Sequence, residues 1–150
     1  MLLAKNRKAL FNHEIVEKFT AGIVLKGYEV KAVREGKVNM DGSYVQIMGG
    51  DPVVVNMHIG QYSRQSQKVA EDDTRRTRHL LLEKTEIEKI TRELAQKGKT
   101  AIPLALVLTH NMIKLELGIA KGRRKADKRD VEKERQIKRD MEVAIKELLR

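Results

Sequence analysis

The sequence predicts a mainly β fold of the α+β class, a small antiparallel barrel with a few helices attached. Three observations carry that reading. Short β-branched or alternating runs recur between Phe19 and Ile119, each bounded by glycine, proline, asparagine or aspartate. One of them, Ile113 to Ile119, alternates apolar with Lys114, Glu116 and Gly118, the pattern of a half-buried strand. Helical spacing appears in only two segments of the first 120 residues. A chain of 150 residues suits one compact domain, and 41% apolar residues suffice for a core. That core must be aliphatic, because the aromatics are only Phe11, Phe19, Tyr28, Tyr44 and Tyr62.

The elements follow in order. Residues 19–25, FTAGIVL, read as a strand ending at Gly27. In YEVKAVREG, Val30 and Val33 share a face while Lys31, Arg34 and Glu35 take others, so a short amphipathic helix closes at Gly36. SYVQIM and VVVNMHI flank Gly49-Gly50-Asp51-Pro52 and form a hairpin. Residues 61–75 are polar and without period, hence a long loop. In RTRHLLLEKTEIEKITRELAQKG, Leu82, Ile87, Ile90 and Leu94 fall at helical spacing, with Thr85 and Glu88 as capping box and Gly98 as stop. Arg76 and Arg78 then stand at the mouth of that helix. IPLALVL and IKLELGI complete the body on either side of His110-Asn111.

Charge dominates the surface. The chain carries 31 Lys and Arg against 21 Asp and Glu, a net charge of +10, which points to a polyanionic partner. Residues 121–150 hold half the excess, with 12 basic and 7 acidic side chains and no aromatic. The composition shift divides a folded body, 1–120, from a basic tail, 121–150. Ile137, Met141, Ile145 and Leu148 follow helical spacing, but a lone helix this short is marginal in water. The tail is expected to be disordered when free and helical when bound; its apolar stripe packing on the barrel is the other reading.

Enzyme signatures are missing. There is no cysteine, so thiol nucleophiles, disulfides and Cys-based zinc sites are excluded. His13, His58, His79 and His110 are scattered without an i,i+4 partner, and no metal or cofactor is expected. No phosphate loop or nucleophile elbow is present, and most carboxylates neighbour a Lys or Arg, as solvated ion pairs do. No run approaches the ~20 apolar residues of a membrane span, and Met1-Leu2-Leu3-Ala4 is too short for a signal peptide, so a cytoplasmic protein is expected. What remains is recognition by Lys5-Arg7-Lys8, Lys31 with Arg34, Arg75-Arg76-Arg78, and Lys121 through Arg129. Five aromatics cannot support extended base stacking, so phosphates and the shape of a folded RNA are the expected target.

Those residues lie within motifs that resemble one family, the SsrA-binding or small protein B (SmpB) family. The matching segments are NRKA (6–9), AGIVLKGYEVKAVREGKVN (21–39), SYV (43–45), MHI (57–59), RTRHLLL (76–82), LGIAKGRRK (117–125) and DKR (127–129). The resemblance implies an oligonucleotide-binding-like (OB-like) barrel with about three flanking helices. It implies a monomer that grips the tRNA-like domain of transfer-messenger RNA (tmRNA) and delivers it to stalled 70S ribosomes for trans-translation. Elongation factor Tu and alanyl-tRNA synthetase become indirect partners through that RNA. Carried over by position, Asn6, Arg7, Lys8, Thr20, Glu29, Lys31, Arg34, Arg76, Arg78 and Leu81 would serve RNA binding. Lys121, Arg123, Arg124, Lys125, Asp127, Lys128 and Arg129 would serve the ribosome-binding tail. Glu29 either orders a basic neighbour or merely starts its helix, and Leu81 either meets RNA or packs in the core. The chain departs from the family pattern at Thr20, where a Glu is usual, at Ala126, where an aromatic or His is usual, and at Glu132, where Ile is usual. A constitutive rRNA-binding module and an RNA-processing enzyme are the alternatives from other classes.

Overall fold

The computed structural model describes residues 1–122 and 125–148. Strand β1 (Leu2–Lys5) is followed by helix α1 (Arg7–Asn12), strand β2 (His13–Ile23) and helix α2 (Gly27–Arg34). Next come β3 (Val38–Asn39), β4 (Tyr44–Met48), β5 (Asp51–Val55) and β6 (His58–Ile59). A short helix α3 (Glu71–Thr74), β7 (Arg78–Leu81), helix α4 (Lys84–Leu94), β8 (Lys99–Thr109) and β9 (Met112–Gly122) complete the body, and α5 (Lys125–Leu148) follows. The main sheet is antiparallel, in the order β1-β8-β4-β5-β7-β2-β9, and β8 pairs with β9 as well, so the pairings return on themselves. The result is an antiparallel sheet with several helices, an α+β fold.

Two strands hold the body together. β8 and β9 pair from Lys99↔Lys121 to Thr109↔Met112, joined through His110 and Asn111, both at positive φ (49° and 60°). Two consecutive left-handed residues make the tight turn whose twist suits a hairpin. The inner faces contribute Phe19, Ala21, Val54, Leu106, Leu115, Leu117 and Ile119, and Ala32, Val33 and Ile90 reach them from α2 and α4. A second cluster lies under α1, where Ala9, Leu10 and Ile15 cover Ile102, Leu104 and Ala120. Gly118 allows that seat. A Cβ there would stand 3.0 Å from Ile15 Cγ2 and Leu104 Cδ1, and 3.2 Å from the Glu17 carbonyl.

Several expectations need correction. The LLL run is not the start of a helix: Leu80 and Leu81 belong to β7, which pairs with β5 and β2, and the helix begins only at Lys84. Arg76 and Arg78 therefore stand at the entry of a strand. The cap of α4 is the Glu83 N–H donating to Glu86 Oε1 at 3.1 Å, not Thr85 with Glu88. VVVNMHI is broken by Asn56 at φ 63°, and its second half pairs separately with β3. The 61–75 loop contains one turn of helix, α3. Unforeseen were β1, α1 and the first half of β2, whose His13–Lys18 stretch carries too many charges to read as a strand. Among the described residues no helix is long and apolar enough to cross a membrane.

Candidate nucleic-acid interface

A buried ion cluster braces α2 against β7. Glu29, 1% exposed, occupies the first turn of α2, where its Oε1 accepts the Lys26 N–H at 2.8 Å. Carboxylates are favoured there by the unpaired amides of the helix start. A carboxylate so deeply buried needs cations, and two are present. Arg78, fully buried, donates from Nε to Glu29 Oε2 at 2.7 Å, and its Nη2 lies 2.6 Å from the same oxygen in an ion pair. Its remaining donors go to the carbonyls of Met57 (2.6 Å), Thr74 (3.1 Å) and Arg76 (3.3 Å). Each of the three guanidinium nitrogens therefore has a partner inside the protein. Arg76 also grips Glu29, through Nη2 to Oε1 and Nε to Oε2 (3.2 Å), but its side chain keeps 23% exposure. Burial pushes the Glu29 carboxyl up, yet the bonds from Arg76, the Lys26 amide and Arg78 outweigh it and hold it below the ordinary value. Burial lowers the Arg78 guanidinium from its usual value, opposed by Glu29. Glu29 thus both starts its helix and orders two basic side chains, and Arg78, fully buried, belongs to the internal framework.

On the other side of α2, Lys31 and Arg34 are exposed, as the periodicity predicts. The polar loop after β6 folds back onto this helix. Lys31 Nζ lies 5.3 Å from the Tyr62 ring centroid, and Glu35 accepts the Ser63 N–H at 2.9 Å and its Oγ–H at 2.5 Å. Those bonds hold the Glu35 carboxyl below its ordinary value. Tyr62 and Glu35 escaped the sequence reading; the one signal was an aromatic inside a polar loop.

The remaining positions divide between scaffold and surface. Asn6 is 3% exposed: its Nδ2 donates to the Pro103 carbonyl at 2.8 Å and its Oδ1 accepts the Ala9 N–H at 3.3 Å, capping α1. Its amide thus holds two bonds within the fold, whereas Arg7 and Lys8 are exposed. Thr20 is exposed on β2, which runs straight through Gly22 without a turn, and it lies opposite Glu116 of β9. Gly22 faces Leu81 on one side and Lys114 on the other, and its missing Cβ would sit 3.1 Å from Leu81 Cβ. Leu81 is 64% exposed, which removes core packing as its explanation. Thr20, Gly22, Leu81, Lys114 and Glu116 therefore share one outer face of the sheet, and Lys114 and Glu116 were not among the predicted site residues.

In the tail, Lys121 is exposed at the end of β9 and Arg129 is exposed on α5. Arg123 and Arg124 lie outside the described residues, as do the side chains of Lys125, Asp127 and Lys128. Ile137, Met141, Ile145 and Leu148 are all exposed, and Arg135 places its guanidinium 5.7 Å from the Phe11 ring of α1. No group of three or more His, Asp or Glu able to hold a metal occurs among the described residues.

Comparison with known proteins places this arrangement. The model of the SmpB protein family matches residues 3–147. An SsrA-binding protein of a Polaromonas species is 43% identical over 146 residues, covering 97% of both chains. One from Clostridium botulinum is 45% identical over 145 residues, covering 97% of this chain and 92% of its own. A chain from a solved structure of tmRNA-SmpB and the bacterial ribosome superposes with a TM-score of 0.69 at 35% identity, covering 87% of this chain and 94% of that one. With its motifs, its antiparallel fold and nearly its whole length in agreement, the chain belongs to the SmpB family.

Proposed function

We propose that the protein binds the tRNA-like domain of tmRNA and delivers it to stalled ribosomes for trans-translation. The observation that carries this reading is the braced α2 surface, with Lys31 and Arg34 exposed on a helix locked from beneath, in a chain of the SmpB family. A cation presented on a rigid element loses little freedom when it meets a phosphate. On this reading the closed ring of pairings is an OB-like barrel, Arg7, Lys8, Thr20, Lys31, Arg34, Arg76 and Leu81 meet the RNA, and Asn6, Glu29 and Arg78 hold them in place. The protein acts without catalysis of its own, as a monomer in the cytoplasm. Elongation factor Tu and alanyl-tRNA synthetase are met through the RNA.

Residues 121–150 are assigned to the ribosome. The helix α5 leaves its apolar stripe of Ile137, Met141, Ile145 and Leu148 in water, so it is marginal in the free protein and gains stability against ribosomal RNA. Because β9 pairs as far as Gly122 with His13, a truncation is placed after that residue. The test titrates the tRNA-like domain and ordinary tRNA against the full chain and the truncated chain, beside a stalled-ribosome tagging assay. Preferential binding of the tRNA-like domain by both chains, with tagging lost only by the truncated one, supports the reading. Equal binding of both RNAs, or ribosome association indifferent to tmRNA, would refute it and favour a constitutive rRNA-binding module.

A further inference from the structure

The Glu29 cluster contains one more cation than its carboxylate needs, and the two arginines are not equivalent. Arg78 is fully buried, each of its guanidinium nitrogens has a partner, and its single charge suffices to neutralise Glu29. Arg76 shares the same carboxylate but keeps 23% exposure, and its Nε and Nη2 both donate to Glu29. The cluster therefore carries a surplus positive charge, and Arg76 is the member placed at the surface. An internal ion pair usually resists removal of one partner because a lone buried charge is left behind. Here that penalty is removed in advance, since Arg78 and the Lys26 amide still hold Glu29 when Arg76 leaves.

We infer that Arg76 is an exchangeable phosphate ligand, stored on Glu29 in the free protein and handed to an RNA phosphate on binding, while Arg78 remains as the permanent counter-ion. Glu29 and Arg78 are positioning residues. Storage keeps the Arg76 side chain ordered beside α2, so binding exchanges one carboxylate partner for a phosphate of similar bidentate geometry. A simple surface arginine would instead have to be ordered from many rotamers. The inference rests on the reading that this face meets RNA, and on no particular RNA sequence.

The test compares Arg76→Ala, Glu29→Gln and Arg78→Ala with the parent chain, by salt titration of RNA binding and by thermal unfolding of each free protein. Both the tRNA-like domain and ordinary tRNA serve as probes, below the melting temperature of every variant. Arg76→Ala is expected to reduce the slope of log affinity against log salt by about 0.7–0.9, one phosphate contact, with little change in melting. Glu29→Gln, which releases Arg76 but keeps a cap acceptor, is expected to melt lower and yet retain the parent slope. Arg78→Ala is expected to melt lowest and to bind more weakly, because Glu29 then cannot release Arg76. The inference is overturned if Arg76→Ala leaves the slope unchanged, or if Glu29→Gln loses as much slope as Arg76→Ala, the behaviour of a purely structural cluster. The variant slopes decide this on either RNA. A parent protein without preference for the tRNA-like domain refutes only the proposed function.

Discussion

Replacing Asn6 by alanine separates a framework role from a contact role. In the structure this substitution removes two bonds and no exposed group. The Ala9 N–H loses its cap acceptor and the Pro103 carbonyl loses the Nδ2 donor at 2.8 Å. Loss of an N-cap costs about 1 kcal/mol, and a buried carbonyl left without a partner costs about 1–3 kcal/mol. Together they predict a loss of roughly 2–4 kcal/mol, or about 4–16 °C in melting temperature for a chain of this size. Asn6→Asp keeps the cap acceptor but turns a carboxylate toward the Pro103 carbonyl, so it should recover only part of the loss. The assay is urea and thermal unfolding of the free proteins, followed by RNA binding at a temperature where all are folded. Since Asn6 also donates its N–H to Leu104 at 2.8 Å, β1 and α1 should loosen together. RNA affinity should fall only as far as Arg7 and Lys8 are displaced. If Asn6→Ala melted like the parent and merely bound RNA more weakly, the framework role would be wrong and a direct contact would stand.

Three further predictions rest on particular contacts. Glu29 is held below its ordinary carboxylate value, so its contribution to stability is complete above about pH 4.5 and is lost as pH falls through the lower folded value; acid titration of the parent should show this loss and Glu29→Gln should not. Thr20→Glu sets a second carboxylate directly across from Glu116, which should cost about 0.2–1 kcal/mol; adding Glu116→Lys should reverse that loss, and unchanged melting of the single variant would contradict the register. Gly118→Ala forces a Cβ against Ile15, Leu104 and the Glu17 carbonyl, an overpacking of about 1–3 kcal/mol; the α1 seat should shift and carry Arg7 and Lys8 with it, so a variant with parental melting and parental RNA affinity would refute that coupling.

Local features were legible without a structure. The α2 helix declares itself by Val30 and Val33 on one face, and Gly36, at φ 77°, ends it as its position suggests. The hairpin at Gly49-Gly50 and the strand from Ile113 also follow from signals only a few residues long. The basic surface of α2 belongs to this group, because helical period alone places Lys31 and Arg34 in solvent. Strand pairing is different in kind. Whether Leu80 and Leu81 extend or coil depends on β5 and β2, which are distant in sequence, and only their backbone groups make extension favourable. The same pairing turns Leu81 outward and sets it against Gly22.

The roles of Arg76 and Arg78 show the same limit at the site. They are two residues apart and chemically identical, yet one is sealed and the other partly open. Nothing local distinguishes them. Depth does, because Arg78 enters the sheet beside Met57 and Thr74 while Arg76 stays at its rim. Asn6 is likewise an ordinary cap residue in sequence, and its burial is decided by Pro103, whose carbonyl lies 97 residues away along the chain. Composition, period and turn chemistry act over a few residues and can be read directly. Burial and partner choice are properties of which distant segments meet, and tertiary packing alone decides them.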